Sequence, residues 1–465
     1  MPQQGRNRAL VIGAGICGLT AARVLTDHFD EVVLVERNTL PEDDGHRSGV
    51  PQAHHVHGLL ALGAEHLERL FPGLSGELGE GGAPVFDHGA GARTQVWAGT
   101  LPPLEAGVEV QTFHRAALEG AMRRRVTALP KVTVRDGNRV VALRVDKTNN
   151  RVDGLVLEGE DGQQEDLAGQ LVVDASGRFS RLPDWLEQAG YPRPAETVVD
   201  GGLAYATRVV EVAERPEGIH GLQQMNQAPD KPGGVYAADI GEGRWIVTLF
   251  GAGGSHPPAD EAGWQKYATE LGNPHLDKLL DGATPVTEVR TFKQTRNQRR
   301  DYAKMTRRPD RLVALGDSFC SFNPVFGQGM TVAVLQAAAL GEELGEGGDL
   351  SGLSGRFQRR IARDVRNPWL MATSEDGMWS HAMRGTRPPL PLRVTAWYKQ
   401  RLLHLAVHER DPHVLRTFMR VYHMLTAPTA MGGPRILAKV LTRARSPRAS
   451  SSPIGAAKSP AGSGG

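Results

Sequence analysis

Residues 9–37, ALVIGAGICGLTAARVLTDHFDEVVLVER, carry two kinds of apolar pattern. ALVI and VVLV are unbroken aliphatic runs, as in strands buried on both faces, and ICGLTAARVL between them repeats its apolar positions at helical spacing. The unit predicted is strand, glycine turn, helix, strand, with an acid at the end. Beyond it, LLALGAEHLERLF has helical spacing, and residues 74–108 are rich in glycine and proline, predicting irregular connection with a short ribbon around Thr94 to Trp97. An amphipathic helix follows in TFHRAALEGAMRRRV. From 132 to 162 polar and apolar positions alternate between turn signals, predicting a β-meander that ends in the buried strand and small-residue turn LVVDASGRFS. Longer strands then appear in GGLAYATRVVEV, GGVYAADI and GRWIVTLFGA, with one helix in DEAGWQKYATEL. A buried strand at 312–315 leads into a long apolar helix, and helical spacing dominates after 346. From 444 onward Ser, Pro, Gly and Ala predict disorder.

Composition narrows this picture. In 465 residues, 54 basic and 52 acidic side chains leave a net charge of only +2, so nothing points to nucleic acid or an anionic membrane as a partner. Two cysteines, Cys17 and Cys320, make no disulfide framework or zinc spacing, and read as small buried fillers in a reducing cytoplasm. No run is long enough to predict a membrane span.

The chemistry starts at the glycine turn. Gly13 permits the tight bend, Gly15 lets backbone approach a pyrophosphate, and Gly18 lets the helix lie against the sheet, its N-terminus facing phosphate. Glu36 ends the second strand, where a carboxylate accepts from ribose hydroxyls and repels a 2′-phosphate, which suits FAD or NAD over NADP. Beyond it Arg37 and Arg47 can reach the diphosphate and Gln52 the polar edge of a ring system. His55 and His57 in AHHVHG lack further ligands at metal spacing, so no metal site is expected. Asp317 emerges at the C-terminal end of a buried strand, placed to meet a ribityl hydroxyl or to cap a turn, and Pro324, Gly327 and Gly329 open the following helix. Tyr205, Tyr236, Trp245, Val247 and Leu249 fall on the longer strands, either lining an apolar pocket or filling an ordinary core. Phe326 joins this candidate pocket.

Three separated signatures, GAGICG with Glu36, DASGRFS, and GDSFCSFNPVFGQGM, resemble in order those of the flavoprotein monooxygenases related to aromatic hydroxylases and squalene epoxidase, over residues 8–345. The middle signature departs from the usual Asp-Gly by placing Ala-Ser between Asp174 and Gly177. RSGVPQAHHVHGLL, GGLAYATRVV, GRWIVTLFG and NQRRDY further resemble bacterial flavin epoxidases that act on linear polyenes before polyether formation.

The resemblance implies an α/β fold, with a Rossmann-type FAD-binding domain interleaved with a mostly antiparallel β-sheet substrate domain and a C-terminal helical region. The expected boundaries are 1–196 and 296–345 for the two parts of the FAD-binding domain, the first including the meander. The substrate sheet takes 197–295, the helical region 346–443 and a disordered tail 444–465. It also implies that Arg115 contacts FAD, that Asp174 and Gly177 share in binding it, and that a C4a-hydroperoxide of reduced FAD passes oxygen to an alkene or an electron-rich ring. An apolar small-molecule substrate, O₂, and NAD(P)H, acting directly or through a partner flavin reductase, complete the reaction. Alkene epoxidation needs no enzymatic base, whereas phenol hydroxylation benefits from one, for which His55 and His57 are the candidates. The expected activity is epoxidation of a linear polyene or polyketide intermediate of secondary metabolism, as in antibiotic biosynthesis, with hydroxylation of an aromatic polyketide or a reductase-type reaction as alternatives.

Overall fold

The computed structural model describes residues 7–41, 55, 58–345 and 349–442. Arg47, Gln52, His57 and the tail expected to be disordered lie outside them.

The apolar runs assemble first into a five-stranded, fully parallel sheet in the order Leu312–Ala314, Leu171–Asp174, Arg8–Ile12, Glu31–Val35, Val132–Arg135. Four of its strands are almost wholly buried, as parallel sheets covered on both faces require, while the edge strand Val132–Arg135 stays partly exposed. The helices Ile16–Leu25, Arg115–Thr127, Gln328–Gly345 and Leu353–Asp364 pack with it into one core. The fourth of these lays Phe357 and Ile361 into that core without residual exposure.

The meander is smaller than its alternating pattern suggests. Arg139–Asp146, Arg151–Glu158 and Gln164–Ala168 form a three-stranded antiparallel sheet, but Val132–Arg135 leaves them and pairs in parallel with Glu31–Val35. Alternation alone does not say which edge a strand will find.

A second large sheet has eight strands. Ala204–Glu211, Arg244–Gly251, Gly233–Asp239 and Gly221–Gln224 run antiparallel, flanked by Thr284–Pro285 and Arg290–Phe292 on one side. On the other side Ala92–Val96 joins in parallel and carries Gly99–Thr100. This sheet therefore draws strands from far outside 197–295. The long helical stretch predicted near the C-terminus is broken at Asp411, which caps the helix Pro412–Tyr422 by accepting from the backbone N–H groups of His413 and Val414. Leu390–His408, Pro412–Tyr422 and Pro434–Thr442 share a core with Val96, Val108 and Val110.

Phe357→Ala should destabilise the protein by about 3–5 kcal/mol in guanidinium unfolding, the range for truncating a buried phenylalanine. A loss under about 1 kcal/mol would mean that this helix does not belong to the parallel-sheet core.

Candidate active site

Register brings the signatures together. Ile12 pairs with both Val35 and Asp174, and Asp174 pairs with Ala314, so Gly13, Glu36, Ala175 and Leu315 all emerge at one edge of the sheet. That carboxyl-terminal edge is where open α/β sheets place ligands. Gly13 has φ +98°, and a Cβ there would lie 2.7 Å from the Ala175 carbonyl oxygen; a Cβ on Gly18 would lie 1.7 Å from the Gly13 carbonyl oxygen. Only glycine permits both approaches. The buried Glu36 carboxylate accepts from the backbone N–H of Ala14 at 2.9 Å and of Asn38 at 3.1 Å, which ties the acid to the turn it faces.

Beneath this edge lies a cavity of about 320 Å³. Gly13, Gly15, Glu36, Arg37, Arg115, Gly177, Asp317, Pro324, Gly327 and Gly329 all line it. Gly18 stands behind the turn as the packing contact. Asp174 is a correction to the expected set. It is fully buried, and its carboxylate accepts from Ser176 N–H at 3.1 Å and from the Ser176 and Ser180 hydroxyls at 2.5 Å each. Its carboxylate is engaged inside its own turn, so it shapes the loop, while Ala175, Ser176 and Gly177 line the wall. The Ala-Ser insertion supplies one of those hydroxyls.

Arg178, inside DASGRFS, was missed although a guanidinium beside a glycine turn is the signal for an anion. It lines the cavity and donates to the carbonyl oxygens of Arg296 at 2.5 Å and Phe322 at 2.8 Å. Burial lowers its pKa, opposed by Asp317. Burial likewise raises the Asp317 carboxyl, opposed first by Arg178 and then by Arg115. These residues fit FAD. Glycines admit backbone to a pyrophosphate, arginines neutralise it, and the wall residue Trp185 holds an indole N–H with no partner among the described residues.

A second cavity, of about 150 Å³, meets the first at Gly58, Phe292, Pro324 and Gly327. Its wall is less apolar than the strand sequences predict. Thr94, Gln223, Tyr236, Thr248 and Thr207 stand opposite one another across successive strands, hence on one face. They form a polar row. The Thr207 and Thr248 hydroxyls are 2.7 Å apart, Gln223 Nε2 donates to Tyr236 at 2.8 Å, and His55 Nδ1 lies 2.7 Å from Thr207 Oγ1. Tyr205, Tyr236 and His55 line the cavity. Trp245, Val247 and Leu249 do not: strand parity turns them to the opposite face, where they pack with Trp264 and Leu276. Phe326 is also displaced, packing against the parallel-sheet core while its neighbour Val325 faces the cavity.

The C-terminal helices complete the wall with Tyr422 and His423, which no local signal marks. His423 Nε2 lies 2.5 Å from His88 Nδ1, and burial lowers both imidazoles, His88 to about 4 and His423 well below its ordinary value. A second buried network underlies Pro324. Asn323 Oδ1 accepts from Tyr205 OH at 2.9 Å and Val325 N–H at 3.2 Å, while Asn323 Nδ2 donates to Asp376 at 3.0 Å. Asn297 Nδ2 donates to the same carboxylate at 2.6 Å, and burial pushes Asp376 up to about 7.

A parallel sheet with a glycine turn, a ribose acid and converging arginines at its ligand edge, with a second cavity adjoining, is the architecture of an FAD-binding flavoprotein. The chain belongs to the family of the FAD binding domain, whose model matches residues 6–347. It is 33% identical over 440 residues to Protein Rv3254 of Mycobacterium tuberculosis, covering 90% of each chain. Squalene monooxygenase SE1 of Panax ginseng is 24% identical over 336 residues, 71% of this chain and 57% of that one. Among solved structures, a flavoprotein/dehydrogenase from Cytophaga hutchinsonii superposes with a TM-score of 0.64 at 14% identity, covering 92% of this chain and 95% of that one. Among the described residues no cluster of three or more His, Cys, Asp or Glu forms a metal site, and no helix is long and apolar enough to cross a membrane.

Arg178→Met should weaken FAD affinity by roughly tenfold or more, the effect of losing a charge-assisted contact, while the protein still unfolds cooperatively. Flavin titration by fluorescence measures this, and unchanged affinity would return Arg178 to a purely structural role. Asp376 gives a pH signature. Its raised pKa means that the folded chain keeps a proton which an unfolded carboxyl releases near 3.8, so its contribution to stability is present below that pH and lost as pH rises to about 7. The melting temperature of Asp376→Asn minus that of the wild type should therefore climb between pH 4 and 7 and then level off. A flat difference curve would show that Asp376 is ionised throughout.

Proposed function

We propose that the enzyme adds one oxygen atom of O₂ to a carbon–carbon double bond of a neutral, largely apolar substrate, with NAD(P)H as reductant, directly or through a partner flavin reductase. The balance is alkene, O₂, NAD(P)H and a proton giving epoxide, NAD(P)⁺ and water. A polyene or polyketide intermediate of secondary metabolism is the class of substrate proposed. The observation that carries this reading is the junction of the two cavities. There Leu59, Phe292, Pro324 and Val325 present apolar surface beside the dinucleotide cavity, and no lysine, arginine, aspartate or glutamate lines the second cavity among the described residues.

Bound and reduced, FAD supplies the oxygen-activating chemistry. The chain holds the diphosphate between the glycine turn and the arginines, keeps the loop at Asn323 in place, and excludes water from the junction, where positioning and desolvation do most of the work. A double bond needs no residue to take its proton. At about 150 Å³ the second cavity accepts a reacting segment, and the rest of a long chain must extend beyond it.

A second reading, aromatic hydroxylation, is favoured by the polar row. His55, Thr207 and Thr248 form a hydrogen-bonded line that could draw a proton from a phenol. The two readings separate by product. FAD-loaded protein turned over under ¹⁸O₂ with a short conjugated polyene should give an epoxide heavier by one ¹⁸O atom. A phenol labelled in its place selects the second reading, and reductant consumption with no labelled product from either class overturns both.

A further inference from the structure

One wall of the second cavity holds a pair of histidines, His88 and His423, whose protonation can be read from their partners. The backbone N–H of Ala61 donates to His423 Nδ1 at 3.2 Å, so that nitrogen is an acceptor and bears no proton. A neutral His423 then carries its hydrogen on Nε2, which lies 2.5 Å from His88 Nδ1 and donates to it. His88 Nδ1 is thereby also an acceptor, and its hydrogen resides on Nε2. The ring planes meet at 85°, an edge-on arrangement suited to an in-plane N–H meeting a ring nitrogen. His88 lines the cavity, and its ring makes no second hydrogen bond among the described residues.

We infer that His88 is a specificity residue, its Nε2–H directed at a neutral acceptor oxygen of the substrate, a carbonyl above all. This deepens the proposed function and rests on the reading of this cavity as the substrate site. The chain of donors has one sense only. Ala61 N–H fixes His423, His423 fixes His88, and His88 has a hydrogen to give and no lone pair to receive with. A hydrocarbon pressed against that N–H would leave a buried donor unmet, whereas a carbonyl oxygen satisfies it. Burial keeps both rings uncharged near neutral pH, so a carboxylate finds no cation here, and no arginine or lysine lines the cavity among the described residues. Tyr422, Gln223 and Tyr236 stand nearby and bond chiefly to one another: Gln223 Nε2 reaches Tyr236 OH at 2.8 Å and Tyr422 OH at 3.4 Å. The substrate class that fits is an unsaturated molecule bearing a neutral oxygen a short distance from the reacting double bond or ring.

The test uses FAD-loaded protein and two probes of nearly equal shape, 1-tetralone and tetralin, titrated by calorimetry. The wild type should bind the ketone about tenfold more tightly than the hydrocarbon, the effect of one buried donor met or unmet. In His88→Phe that ratio should fall to near one through weaker ketone binding. An equal ratio in both proteins, no preference in the wild type, or failure of flavin-loaded protein to bind either probe overturns the inference. Because retention of FAD and the identity of the oxygenated product are read separately, a failed flavin or epoxidation reading is distinguishable from a failed role for His88. Should the variant not fold, ¹⁵N imidazole shifts of the wild-type holoenzyme decide. Both rings should be neutral with hydrogen on Nε2 at pH 7, and a cationic or Nδ1–H His88 overturns the inference.

Discussion

One buried amide holds the two halves of the active site in register. The Asn323 side chain accepts from Tyr205 of the large sheet and from Val325 of its own loop, and donates to Asp376 of the helix Arg366–Met383; its backbone N–H donates to Asn297. Three segments far from it in sequence thus converge on one residue that is 1% exposed. Each of these groups would be expensive to bury alone, and each is tolerable because the others complete it. The loop from Pro324 to Gly327, which separates the dinucleotide cavity from the substrate cavity, hangs from this point.

The parallel sheet and its ligand edge were legible because they follow from short-range patterns. ALVI, VVLV and LVVD are runs that only a doubly covered sheet can use, and Gly13, Gly18 and Glu36 follow them at distances set by one turn and one helix. Asp317 was legible from its place at the end of a buried strand and Arg115 by family resemblance, and the cavity brings them within range of one another. The substrate cavity was harder to read. Trp245 and Tyr236 both lie on strands of the same sheet and look alike as pocket aromatics, yet they face opposite ways, and parity across a sheet cannot be assigned until register is known. Asp174 misled for a related reason: a conspicuous acid in a small-residue turn can serve a ligand or its own loop, and Ser176 and Ser180 decide for the loop. Tyr422 and His423 left no trace at all, since nothing in a helix end tells which distant cavity it will close.

The electrostatic design of the two cavities differs accordingly. The first concentrates guanidinium groups and backbone N–H groups where a diphosphate needs them, and its one wall acid beyond Glu36, Asp317, sits among arginines that offset the penalty of burial. The second has hydroxyls, an amide and neutral imidazoles arranged in hydrogen-bonded lines, with no formal charge to attract water. An uncharged cavity thus adjoins a charged one, and the two meet at Gly58, Phe292, Pro324 and Gly327.

The family match ends at residue 347, whereas Tyr422 and His423 come some 75 positions later and close the substrate cavity. The glycine turn and most of the second cavity's wall lie inside that match, and the wall is completed by side chains from beyond it. A chain cut at the end of that match would keep the glycine turn and lose Tyr422 and His423 from the cavity wall.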